Sequence, residues 1–107
     1  MAFIYQVSFT IPRNSKEEEQ SIGLFLERMM SYLRMILPGE PGYLTMKAMY
    51  SVDGGDSLCV LLHTAWENWG DLARHKDSNL AEDRLLPKFD LCFEECQITA
   101  RVFTELD

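Results

Sequence analysis

The chain has 107 residues, a length that suits one domain over 1–107, and its 47% hydrophobic content is enough for one modest core. A formal charge of −7 excludes nucleic acid and anionic membranes as partners, since both need a basic face. No apolar run approaches the roughly 18 residues of a membrane span. The start, MAFIYQVSFTIP, has neither the basic residues nor the small-residue cleavage site of a signal peptide. An odd set of cysteines, Cys59, Cys92 and Cys96, with no secretion signal fits a reducing cytoplasm, with the thiols as buried apolar side chains.

Residues 3–11 alternate, with Phe3, Tyr5, Val7, Phe9 and Ile11 on one side and Ile4, Gln6, Ser8 and Thr10 on the other. Period two with aromatic and β-branched residues predicts a strand, which Pro12 ends. Ser15 to Glu18 reads as a capping box, and Ile22, Phe25, Leu26, Met29, Leu33 and Ile36 then recur at helical spacing. Leu24, Met30, Tyr32 and Met35 broaden that stripe, and the helix stops near Leu37 because Pro38-Gly39-Glu40-Pro41-Gly42 cannot continue it. Residues 43–51 and 57–66 are strands joined by the Asp53-Gly54-Gly55-Asp56 turn, hence antiparallel neighbours.

Asn68 is a cap for a helix running through His75, with Trp69, Leu72 and Ala73 facing inward. Residues 79–86 add another helical turn, stopped by Pro87, and 91–105 reads as a long final strand. The order β-α-β-β-α-β with right-handed crossovers predicts an α+β, ferredoxin-like fold with a four-stranded antiparallel sheet. Both helices then cover one sheet face. The other face still carries apolar residues such as Ile4, so a second copy packed sheet on sheet about a two-fold axis is the expected cover.

His75 is the first candidate for chemistry, at a helix C-terminus one turn after Asp71, a setting in which an imidazole takes up and gives back a proton. Its plain alternative is a surface or helix-end histidine with no task. Trp66, at the end of a central strand, offers a flat wall and one N–H donor, or simply core packing. His63, three residues earlier, faces the opposite side and suits a polar contact at the dimer face or the sheet edge. Spacings for a metal site, a phosphate-cradling loop, a nucleophile elbow, a dinucleotide or a flavin are all missing, so no metal or cofactor is expected. Any redox chemistry would draw its electrons from the substrate.

The run Trp66-Glu67, then Leu72, then His75, together with Pro41-Gly42-Tyr43 at the start of the second strand, resembles the antibiotic biosynthesis monooxygenase family of dimeric α/β-barrel proteins. The resemblance covers nearly the whole chain in element order. It implies a homodimer with a dry pocket between sheet and helices. It also implies cofactor-free oxygenation of a quinol-like or anthrone-like aromatic, whose anion reduces dioxygen directly. On that footing His75 and Trp66 are the catalytic candidates, and Val7, Phe25, Met29 and Leu72 the substrate-binding ones. The haem-degrading branch is disfavoured, because Val7 and the Arg84–Leu85 region stand where that branch has an asparagine and a histidine. Two other readings remain: a non-catalytic dimeric module for a small hydrophobic ligand or partner, and an isomerase or decarboxylase in which His75 shuttles a proton.

Overall fold

A computed structural model describes residues 2–12, 16–51, 57–88 and 97–106. Four strands, β1 (Phe3–Pro12), β2 (Tyr43–Tyr50), β3 (Ser57–Trp66) and β4 (Thr99–Thr104), form one antiparallel sheet in the order β2-β3-β1-β4. The helix α1 (Lys16–Ile36) links β1 to β2, and α2 (Trp69–Asp77) follows β3. This is the ferredoxin-like βαββαβ arrangement.

The register turns the alternation in β1 into two sheet faces. Tyr5 pairs with Thr64, Val7 with Leu62 and Phe9 with Val60, so these side chains share the face under the helices. There Phe9, Leu58, Val60 and Leu62 pack against Met29, Leu33 and Leu37 from α1 and its C-terminal turn, and against Leu80, Leu85 and Leu86. The opposite face presents Ile4, Leu61 and Ala65, half-buried, beside the exposed Met49 and Phe103. His63 lies on this face, opposite in direction to Trp66, and its Nε2 stands 2.7 Å from Gln6 Oε1. Cys59 is also here and only half-buried, with Ser8 Oγ 3.8 Å from its sulfur, which corrects the expectation of a buried thiol.

A bulge at Leu44 lets Tyr43 oppose Trp66 while Thr45 opposes Ala65. It brings the Tyr43 ring edge-on to the indole of Trp66, with centroids 5.9 Å apart. The α1 stripe is narrower than its sequence suggests: Met29 and Leu33 are buried, whereas Leu24 and Met35 are exposed.

Past α2 the chain departs from expectation in two places. Pro87 does not stop the helical segment: a π-type turn, Ala81–Leu85, runs into the short helix α3 (Leu86–Lys88), where proline near the N-terminus leaves no amide unmet. Among the described residues the last strand spans Thr99–Thr104, and Gln97 before it takes a positive φ of 48°, outside the β region; residues 91–96 of the expected strand lie outside the described residues. The capping box at Ser15, the 53–56 turn, Cys92 and Cys96 lie outside the described residues. No described helix is long and apolar enough to cross a membrane.

Candidate functional site

Asn68 starts α2 by accepting the Asp71 amide on its Oδ1 at 2.9 Å, as its residue type predicts. Helical spacing then turns Leu72 and His75 to the same inward side, and both are buried. Trp69, expected inward, is instead 53% exposed and meets the half-buried Phe3 edge-on at 6.1 Å. The C-terminus of α2 is closed by Ser78, whose amide and hydroxyl both donate to the His75 carbonyl, at 3.1 and 2.6 Å. Asn79 follows with φ 49°, a left-handed position asparagine tolerates.

The imidazole of His75 is only 5% exposed and is held on three sides. It stacks on Trp66 with centroids 4.5 Å apart and planes 29° from parallel. Tyr5 meets it edge-on at 5.6 Å and 84°. Its Nδ1 lies 3.1 Å from each carboxylate oxygen of Glu40. The carboxylate partner is therefore Glu40, on the turn leading to β2, and not Asp71 one helical turn back. Asp71 is engaged elsewhere, accepting from Asn68 Nδ2 at 2.8 Å and pairing with Arg74 at 3.6 Å.

Trp66 is fully buried and its indole N–H is already used, donating to Thr64 Oγ1 at 2.9 Å. Thr64 in turn reaches the Tyr5 carbonyl at 3.4 Å. Trp66 thus offers His75 a platform, while its donor is turned into the sheet.

His75 forms part of the wall of a narrow cavity of about 50 Å³ between the sheet and the segment following α2. The floor is Tyr5, Val7, Leu62 and Thr64; Leu33, Leu80 and Leu85 close it with apolar surface. Such a volume holds a few water-sized molecules, well below the roughly 300 Å³ at which pockets for organic ligands begin.

Of the substrate-binding candidates, Val7 lies in the floor of this cavity, which His75 also lines. Leu72 is buried within the packing of α2. Met29 is buried on α1 and borders a different depression, between α1 and β2, together with Met30, Met49 and Tyr50. The side chain of Phe25 lies outside the described residues. Glu40 and Thr64, which complete the surroundings of His75, were missed in the sequence. The sole local signal for Glu40 was its place immediately before Pro41-Gly42-Tyr43. Among the described residues no cluster of three or more His, Cys, Asp or Glu stands ready to hold a metal ion.

No family model matches the chain, and neither does any curated protein. Solved structures match it along its whole length. A dimeric ferredoxin-like protein from an uncultured marine organism aligns with a TM-score of 0.64 at 10% identity, covering 99% of this chain and 100% of that one. A monooxygenase from the gene ActVA-Orf6 of Streptomyces coelicolor, in complex with nanaomycin D, aligns with a TM-score of 0.61 at 17% identity, covering 99% and 88%. A variant of SnoaB, a cofactor-independent oxygenase from Streptomyces nogalater, aligns with a TM-score of 0.58 at 15% identity, covering 99% and 94%. At these identities the likeness is one of fold, and from β1 to β4 the chain has the ferredoxin-like fold of these proteins.

Proposed function

We propose that the chain is a homodimeric, cofactor-independent monooxygenase of the antibiotic biosynthesis type, acting on a small aromatic, quinol-like or anthrone-like compound. The observation that carries this reading is a buried histidine in the wall of an apolar cavity, beside a tryptophan platform and a carboxylate. The likeness to cofactor-independent oxygenases supports it at the level of the fold.

For an anthrone the steps balance without an external reductant. His75 removes a proton from the methylene flanked by the aromatic rings, and the resulting anion transfers electrons to dioxygen. A C–O bond forms, giving a peroxide. The remaining methylene proton then leaves as the O–O bond breaks, and the products are a carbonyl and one water. The dry wall keeps competing water from the anion, and the base is placed in advance. A ring system needs more room than the 50 Å³ cavity provides, so this reading requires the cavity to widen when substrate enters. The uncovered sheet face, with Ile4, Leu61, Met49 and Phe103, is the surface for the second copy.

Oxygen uptake over a panel of anthrones and quinols, with wild type and His75→Ala, tests the reading. Uptake that depends on His75 is the expected result. No uptake on any member, or uptake unchanged in the variant, sinks it. The small cavity favours a second reading, a non-catalytic dimeric module for a small hydrophobic ligand. In that case calorimetry with the same panel records binding without turnover.

A further inference from the structure

We propose that Glu40 is a positioning residue that fixes the tautomer of His75, committing Nδ1 to carry the ring proton and leaving Nε2 as the proton acceptor toward the cavity. The inference rests on the monooxygenase reading only for the use made of Nε2; the tautomer itself is a property of the resting protein.

A carboxylate has only acceptor positions. With both Glu40 oxygens 3.1 Å from Nδ1, the favourable arrangement is Nδ1–H donating to Glu40. A neutral imidazole has one N–H, so Nε2 then holds the lone pair. Among the described residues nothing hydrogen-bonds Nε2, and His75 lines the largely apolar cavity. Rotation of the ring to exchange its nitrogens is opposed by the stack on Trp66 and the edge of Tyr5.

The backbone that carries the carboxylate is itself held in place. The Glu40 amide donates to Leu37 at 2.9 Å, and its carbonyl accepts from Tyr43 at 3.3 Å. Two residues on, the Gly42 carbonyl accepts the Glu67 amide at 2.8 Å, tying the turn to the junction between β3 and α2. Gly42 has φ 78° and runs so close to Asp71 that a Cβ would collide with that side chain. The turn 40–42 is thus docked on α2 near both its ends, at Asp71 and at His75. When His75 takes a proton from substrate, Glu40 also lies beside the charge that forms on the ring.

The test is the ¹⁵N signature of the histidine side chains at a pH where the rings are neutral. The chain has 2 histidines, so His63→Asn assigns the signals. Wild type is expected to show a protonated Nδ1 and an unprotonated Nε2 at His75. Glu40→Leu, with its fold checked by backbone amide spectra, is expected to move the proton largely to Nε2. On an active substrate it is expected to lower kcat on the order of 10²-fold with KM little changed, within the range a positioned base contributes. An Nε2–H form in wild type, or a wild-type pattern retained in Glu40→Leu, overturns the proposal. If Glu40→Leu does not fold, the wild-type spectrum alone still decides. A silent oxygen electrode with Nδ1–H in place sinks the oxygenase reading and leaves this one standing; the reverse pairing sinks only this one.

Discussion

The two histidines sit on the two faces of the same sheet, and their surroundings differ in every respect that matters for chemistry. His63 projects from the central strand β3 onto the uncovered face, where its partner is the neutral amide of Gln6. His75 comes down from α2 onto the covered face, where a carboxylate, an indole and an apolar cavity surround it. An amide partner both accepts and donates, so it leaves either tautomer of His63 possible; a carboxylate selects one. The same side chain is therefore a polar contact on the uncovered face and, under the proposal above, a directed proton acceptor where helices already cover the sheet. What separates them is the layer above the sheet.

The comparison breaks most readily in the rate of reaction. His75→Ala is expected to lower kcat on an active substrate by about 10²–10⁴-fold, the range of general-base catalysis, while His63→Ala stays close to wild type. Equal losses in the two variants, measured by oxygen uptake, would remove the distinction between the faces.

Stability offers the next contrast. Trp66→Ala leaves a cavity beneath His75 and strands the acceptor role of Thr64, so it is expected to cost about 3–5 kcal/mol in urea unfolding. Trp69→Ala gives up one edge contact on an exposed ring and is expected to cost about 1 kcal/mol or less. On the uncovered face, Leu61→Lys places an ammonium where a second copy is proposed to pack. Burial of an unpaired charge costs roughly 3–5 kcal/mol, so sedimentation is expected to show a dimer in wild type and a single copy in the variant. A single copy in both would remove the proposed interface. Gly42→Ala forces a positive φ and a collision with Asp71, with an expected loss of about 1–3 kcal/mol that thermal melting can read. Because that turn carries Glu40, the variant also sharpens the link between the docked turn and His75.

Much of this molecule is written locally in the chain. Strict alternation in residues 3–11 placed β1 and its two faces, since strand geometry depends only on neighbouring residues. Helical spacing did the same for Met29 and Leu33, the proline-glycine run ended α1, and Asn68 announced the start of α2. The limits of β4 were not legible, because the alternation before Thr99 continues through Gln97, whose left-handed backbone leaves no mark on the pattern. The inward turn of Trp69 was misjudged for a related reason: near a helix start the side that faces the core depends on how the helix is docked.

The candidate site divides along the same line. The sequence by itself determined that Trp66 and His75 stand at one strand-to-helix corner and that His63 faces the other way, because the first follows from their nearness in the chain and the second from spacing along one strand. Only the tertiary structure decided that Glu40, 35 residues from His75, supplies the carboxylate, that the Trp66 N–H is used by Thr64, and that the cavity holds about 50 Å³. Periodicity fixes directions within an element. Distances between elements are set by how whole side chains fill the space between them, and no local pattern encodes that.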